Sequence, residues 1–514
     1  MPNELIVNLT LGETRVARLE NGVVAELFIE RARDHSVVGN IYKGKVSRVL
    51  PGMQAAFIDI GLERTAFVHA ADIAKDVMQL DEEEKAEISE VLEEGIIEET
   101  EDALIEEKKN KRKKTKKSIQ GLLQEGTDIL VQVEKEPFGT KGARLTSHLS
   151  LPGRYLVFMP TVDHIGVSRR IEDSSERDRL KKLIKELHQG SGGYIVRTVA
   201  EGVTETELKA DIDYLNELWR TIEKKAKPAK SPTLIHEELD VLSRVIRDLF
   251  TADVDRVVVD SSIAKEKVKD FISDFLPEAI ERVELYQGNE PIFDAFGIEV
   301  EITRALGQKV WLKSGGYIII EQTEALTAID VNTGRFVGRR NVEDTILKTN
   351  LEAVKEIVYQ LRLRNIGGII ILDFIDMEKP ANRQKVFGTL KEALKSDRAR
   401  TTITKLSELG LVEMTRARSR EDLRRLLSNA CPYCEGKGYL KSPTTVCYEI
   451  FREIQREANY LKSKKLTVVC HPSIAGLLYD EERAQLEALE KEHKKRISIK
   501  SMNDYHLEQF DINE

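Results

Sequence analysis

A chain of 514 residues is too long for one hydrophobic core and should divide into several domains. Its 41% hydrophobic content suffices for globular folding, and four cysteines are too few for a disulfide framework. No apolar run approaches the roughly 20 residues needed to cross a bilayer, so no membrane-spanning helix is expected. The net charge of -9 argues mildly against a nucleic-acid enzyme, but the charges are segregated. Residues 81–107 are dominated by Glu and Asp, and 108–117 is almost entirely basic. Met1-Pro2-Asn3-Glu4-Leu5-Ile6-Val7 lacks the blocks of a signal peptide. The expected compartment is the cytoplasm.

Residues 4–36 alternate apolar and polar, and Asn21-Gly22 between two such runs signals a hairpin. This sheet is too small to stand alone and should join a later segment. A new unit starts near Val38. Short strands at Gly39–Val49, Ala55–Gly61, Thr65–His69 and Asp128–Lys135 suggest a small barrel. Tyr42, Phe57 and Phe67 sit among Lys43, Lys45 and Arg48. Exposed aromatics amid basic residues would form a stacking platform for single-stranded nucleic acid. The alternative places Phe57 and Phe67 in the core. The insertion at 81–117 reads as a charged, partly helical excursion whose basic run either touches phosphate or is simply solvated.

Pro137–Arg144 is a glycine-rich loop without P-loop spacing. Its Lys141 either reaches a phosphate or lies in a plain turn. Arg169, Arg170 and Arg197, beside the hydroxyls of Ser168 and Thr198, have the chemistry of a phosphate clamp. The patterns predict helices over 174–188 and 203–226, a turn at 227–232, a helix over 239–250, a strand over 256–260 and a helix over 264–275.

Two apolar runs follow. Gly316–Ile320 leads into Thr327-Ala328-Ile329-Asp330-Val331-Asn332-Thr333-Gly334, and Gly368–Leu372 ends in Asp373-Phe374-Ile375-Asp376. Both read as buried strands. A helix over 344–362 between them makes a strand–helix–strand unit and favours α/β architecture; a further helix is predicted over 382–395. Asp330 and Asn332 are two apart, so on a strand they share a face. Two carboxylates and an amide oxygen are hard ligands of the kind magnesium prefers. Strand-end capping is the bland alternative to a metal-dependent site that hydrolyses a phosphodiester.

Cys431-Pro432-Tyr433-Cys434-Glu435-Gly436-Lys437-Gly438 has the spacing of half a zinc ribbon. A full site needs four ligands. Either Cys447 and Cys470 complete it, or a second copy supplies an identical half; the second alternative uses one motif twice across a two-fold axis and is preferred.

Several separated blocks resemble the ribonuclease E/G family, nearly end to end. They are Gly39-Asn40-Ile41-Tyr42-Lys43-Gly44, Thr323-Glu324-Ala325-Leu326-Thr327-Ala328-Ile329-Asp330, Gln360-Leu361-Arg362-Leu363-Arg364, Asp373-Phe374-Ile375-Asp376-Met377 and the cysteine motif. The resemblance implies a multidomain α/β and β protein. An RNase H-like subdomain would comprise 1–37 and 243–305. Inserted in it would be an S1-type OB barrel at 38–146, carrying the charged insertion 81–117, and a 5′-end sensor at 147–242. A DNase I-like catalytic subdomain at 306–428, a zinc link at 429–441 and a small C-terminal α/β domain at 442–514 would complete the chain. The length and charge of 81–117 depart from the family pattern.

The resemblance also implies roles. Asp330 and Asp373 would bind magnesium, with Asn332 assisting. Arg197 and Thr198 would hold a 5′-monophosphate. Phe57, Phe67 and Lys141 would contact RNA, and Cys431 and Cys434 would share zinc with a partner subunit. The implied activity is endonucleolytic hydrolysis of single-stranded, AU-rich RNA, preferably 5′-monophosphorylated, in ribosomal RNA processing and messenger RNA turnover. The implied assembly is a homodimer or dimer of dimers, without the long C-terminal extension by which larger members recruit partners.

Overall fold

The computed structural model describes residues 2–32, 36–73, 119–137 and 142–514, apart from 169, 172, 189, 252, 274–276, 335–341, 406, 408, 409, 419, 459, 461 and 462. Lys141 and the insertion at 81–117 therefore lie outside the described residues. The chain forms two compact units, Met1–Leu426 and Leu427–Glu514.

The larger unit opens with three antiparallel strands, β1 (Glu4–Leu9), β2 (Glu13–Glu20) and β3 (Val23–Arg31). Asn21 and Gly22 join β2 to β3 with φ of 53° and 77°, the pair of left-handed residues that a two-residue hairpin turn requires. The barrel follows, from β4 (Ile41–Leu50), β5 (Ala55–Asp59), β6 (Ala66–His69), β7 (Asp128–Lys135) and β8 (Arg144–Thr146). Pairing runs β4-β5-β6-β8-β7, and β7 pairs back to β4 to close five strands. Gly44 sits where strands cross closely: a Cβ there would lie 2.5 Å from an Ile58 methyl.

A four-stranded sheet of β9 (Leu151–Pro152), β10 (Leu156–Met159), β11 (Ile165–Val167) and β12 (Gly193–Val196) packs with helices α1 (Ser174–Leu187) and α2 (Glu205–Ala226). Asp173 caps α1, and a Thr204–Glu207 capping box starts α2. Then β13 (Thr233–His236) adds to β4. After α3 (Val241–Leu249), β14 (Arg256–Val259) pairs in parallel with β1. α4 (Ser262–Ser273) and β15 (Val283–Leu285) complete a sheet ordered β15-β14-β1-β2-β3.

The last sheet of this unit is ordered β16-β17-β18-β19-β21-β20. Its strands are β16 (Lys309–Trp311), β17 (Tyr317–Gln322), β18 (Leu326–Asn332), β19 (Gly368–Asp373), β20 (Thr401–Ile403) and β21 (Leu411–Arg416). α5 (Val342–Leu363) crosses between β18 and β19, which pair in parallel, and α6 (Pro380–Ala393) follows. One sheet face buries Ile318, Ile320, Ile329, Val331, Ile370, Leu372, Val412 and Met414 with the inner residues of α5 and α6. The other face is open, and Ile369 is 46% exposed there. The two apolar runs are thus not buried strands. They alternate, one face under helices and one toward solvent.

The smaller unit centres on β22 (Lys465–Cys470), flanked by parallel β23 (Arg496–Ser501) and antiparallel β24 (Phe510–Asn513). Its core is shared with the helices Pro443–Glu457, Pro472–Tyr479 and Arg483–His493. Among the described residues no helix is long and apolar enough to cross a membrane.

Candidate active site

Strand alternation and register together build the site. Asp330 on β18 is the register partner of Asp373 on β19, so the two carboxylates stand on the open face about 4.8 Å apart at the backbone. Asn332 lies two residues on, on the same face, and its amide donates to Asp330 Oδ2 at 2.7 Å. Like charges directly opposite on a sheet repel. Burial, with the neighbouring charges of Asp330 and Asp376, raises the Asp373 pKa above the usual carboxylate range. A cation placed between the two would relieve that cost.

The loop after β19 is held by a residue that sequence reasoning missed. Asn350, fully buried on α5, donates to the Ile375 carbonyl at 2.8 Å and accepts from the Ile375 N–H at 3.1 Å. Asp376 follows directly in the chain. Among the described residues, no three or more His, Cys, Asp or Glu side chains are grouped to hold a metal ion. Two carboxylates on an open face nevertheless fit magnesium, which commonly takes one or two from the protein and fills its octahedron with water and phosphate oxygens.

On the barrel, β4 places alternate residues inside, so Tyr42 and Val46 are buried in its core. Tyr42 is therefore not part of an exposed platform. A bulge between Val46 and Arg48 then turns Arg48 outward, opposite Phe57. Phe57 pairs with Phe67, and Phe67 with Arg144. The result is a row across four strands, Arg48–Phe57–Phe67–Arg144, on the outer barrel face. Both rings are half-buried and outside the barrel core cluster, and His69 packs edge-on against Phe67 at 5.8 Å.

Arg197 and Thr198 follow β12. Arg197 Nη1 donates to the carbonyls of Gly153 at 2.7 Å and Arg154 at 3.2 Å, and to Asp248 Oδ1 at 2.8 Å. Burial opposes ionisation of Asp248, but the guanidiniums of Arg197 and Arg247 prevail and hold its carboxyl well below the usual carboxylate range. Thr198 shares a hydroxyl–hydroxyl hydrogen bond of 3.0 Å with Ser168, which is 1% exposed. All three Arg197 bonds use one nitrogen, so this arginine is oriented in advance. The sequence offered no sign of Asp248, which lies 51 residues further on.

The cysteine motif folds as a knuckle. Gly436 N–H donates to Cys431 O at 3.2 Å, Lys437 N–H to Cys434 O at 2.8 Å, and Gly438 N–H to Cys434 Sγ at 3.3 Å. Glu435, Gly436 and Gly438 take left-handed φ of 52°, 80° and 80°. Cys431 is exposed, and the backbone of Cys434 and Tyr433, with the Cys434 side chain, lowers its thiol pKa. Cys447 and Cys470 are instead core residues at 0% exposure, and burial pushes each thiol up to about 11. The lowered Cys431 thiol is suited to binding a metal as a thiolate, whereas the core pair stays protonated.

Residues 150–419 match the model of the ribonuclease E/G family, 37–120 that of the S1 RNA binding domain, and 430–514 that of the RNase E/G thioredoxin-like domain. Ribonuclease G of Escherichia coli (strain K12) is 47% identical over 512 residues, covering 100% of this chain and 99% of that protein. Ribonuclease G of Haemophilus influenzae is 46% identical over 512 residues, covering 99% of each. Ribonuclease E of Haemophilus influenzae is 37% identical over 492 residues, covering 95% of this chain but 49% of that protein. A family match that takes in both carboxylate strands, and close to half identity along the whole length, give one assignment: the chain belongs to the ribonuclease E/G family.

Proposed function

We propose that this protein is a magnesium-dependent endoribonuclease that hydrolyses single-stranded, AU-rich RNA and prefers a 5′-monophosphate. One observation carries the reading: Asp330 and Asp373 are register partners on an open sheet face. In this reading 306–428 is a DNase I-like catalytic subdomain, and the sheet of β1–β3, β14 and β15 is RNase H-like. The segment 147–242 is a 5′-end sensor, and 429–441 is a zinc link. The enzyme works in the cytoplasm, in ribosomal RNA processing and messenger RNA turnover.

Asp330 and Asp373 hold magnesium through their carboxylate oxygens. Bound there, magnesium supplies charge neutralisation at the scissile phosphate and a more acidic water. Asn332 holds the Asp330 carboxylate by its amide hydrogen bond; in this reading its carbonyl oxygen accepts from a water, or its second amide N–H donates to a phosphate oxygen. Water oxygen bonds to phosphorus, the P–O3′ bond breaks, and the departing 3′ oxygen takes a proton. The products carry a 5′-phosphate and a 3′-hydroxyl.

Phe57 and Phe67 stack bases, and Lys141 also contacts RNA. Arg197 and Thr198 take the 5′-monophosphate. Cys431 and Cys434 bind zinc with the same pair from a second copy, giving a homodimer or a dimer of dimers; the core position of Cys447 and Cys470 favours this over closure within one chain. The test is cleavage of a 5′-monophosphorylated AU-rich oligonucleotide with Mg²⁺. Cleavage that depends on the metal and is lost in Asp330→Asn supports the enzyme, whereas cleavage indifferent to that change refutes it.

A further inference from the structure

The open face continues past the carboxylates toward the sheet edge. Asn332 is the register partner of Tyr317 on β17, and Tyr317 is the register partner of Trp311 on the edge strand β16. The three side chains form one row, and Trp311 stands two strand spacings, roughly 10 Å, from Asn332. The rings of Trp311 and Tyr317 meet edge-on at 5.4 Å between centroids. Lys309, on the same face of β16, places its ammonium 3.6 Å from the Tyr317 ring centroid and 4.2 Å from that of Trp311. Trp311 is 62% exposed, the one exposed aromatic among the described residues of the larger unit. Its neighbours Val310 and Leu312 turn inward to the core, so the strand does not need an indole at this position.

We propose that Trp311 and Tyr317, with Lys309, form a nucleobase-stacking subsite that holds a nucleotide next to the scissile phosphate. The inference rests on the reading of Asp330 and Asp373 as the cleavage site and adds a ligand class to the same face. An indole and a phenol ring accept any base by π-stacking, and a lysine beside them takes the phosphate that each nucleotide carries. An exposed cation–π contact is worth a factor of about 2 to 5 in population. A stacked base is worth roughly 5- to 150-fold in affinity. A base therefore displaces Lys309 from the ring faces, and the freed ammonium meets the backbone phosphate. The half-exposed Ile319, register partner of Asp330, supplies apolar floor between this stack and the carboxylates.

The test uses the full chain with Trp219→Phe, which leaves Trp311 as the single tryptophan. A 5′-monophosphorylated AU-rich single-stranded oligonucleotide is titrated without Mg²⁺, reading anisotropy for binding and tryptophan emission for stacking. Emission should be quenched with the same midpoint as the anisotropy. Trp311→Ala should weaken binding about tenfold, and Trp311→Phe should restore most of it. An abasic scan near the cleavage position should find one base whose removal costs as much as Trp311→Ala and nothing more when combined with it. Binding without quenching, unchanged binding by Trp311→Ala, or no binding at all overturns the subsite. Cleavage indifferent to Asp330→Asn, with quenching intact, sinks the catalytic reading alone. Loss of cleavage in Asp330→Asn without quenching sinks the stacking subsite alone.

Discussion

Asn350 closes both of its strong hydrogen bonds on the backbone of one residue, accepting from the N–H of Ile375 and donating to its carbonyl. A helix side chain thereby fixes the loop just past the end of β19. Asn350→Ala leaves two backbone groups without partners and opens a small void. Urea denaturation should show a loss of about 2–4 kcal/mol. Cleavage should fall as well, because Asp373 and Asp376 flank the clamped peptide. A stable variant with full activity would show that the loop holds itself.

Asp373 gives a pH signature. Its pKa is raised in the folded state by burial and by the charges of Asp330 and Asp376. The folded protein therefore binds this proton more tightly than the unfolded chain. The associated stability is complete below the ordinary carboxylate range and is lost as pH rises through the raised value. At neutral pH Asp373→Asn should raise the Tm of the metal-free protein, and the difference should narrow in acid. Added Mg²⁺ should raise the Tm of the unaltered protein and not of the variant, whose cleavage should fall at least about 1000-fold. A destabilised Asp373→Asn at neutral pH would contradict the charge argument.

Asp248 behaves with the opposite sign. Burial resists its charge, but Arg197 and Arg247 hold its pKa below the usual range. Its stabilisation is present above the unfolded carboxylate value, about pH 3.9, and is lost as pH falls through the lower folded value. Asp248→Asn should be less stable than the unaltered protein by a gap that is constant near neutrality and closes in strong acid. It also removes the charged member of the three bonds that hold Arg197 Nη1, leaving only the Gly153 and Arg154 carbonyls. The preference for 5′-monophosphorylated over 5′-hydroxyl RNA should then shrink by about tenfold, read as a ratio of kcat/KM.

The four thiols divide by environment, and serine substitutions report it. Cys431→Ser should lose zinc by elemental analysis and lower the mass seen by light scattering. Cys447→Ser should retain zinc and the oligomer but lose about 1–3 kcal/mol, since it places a hydroxyl among apolar side chains. Zinc loss in Cys447→Ser would instead favour closure of the site within one chain.

Period-two alternation makes part of this site legible in the sequence. It puts Asp330 and Asn332 on one face of a strand, and the helix-length gap to Asp373 calls for a parallel crossover. The hairpin at Asn21-Gly22 is equally plain, because its turn chemistry is local. Tyr42 departs from the expected platform because the alternation of β4 turns it into the core with Val46, while a bulge after Val46 turns Arg48 outward beside Phe57. The apolar runs read as doubly buried because isoleucine is common on both faces of β17 and β19, and composition does not say that one face is open. Asn350 and Asp248 leave no trace in the sequence. Their partners are the backbone of a residue 25 positions away and a guanidinium 51 residues away, contacts that only the tertiary fold creates.

The open sheet face has a thermodynamic consequence. Ile319 and Ile371 are only half-buried, and Ile369 is nearly half-exposed, around the carboxylates. RNA laid along this floor removes hydrocarbon from water while its phosphates meet charge. Binding at this face therefore carries a negative heat-capacity change, as apolar burial does. A polyanion held by a basic tail alone has no such component. Calorimetry at several temperatures separates RNA seated on the isoleucine floor from RNA held only by its backbone charge.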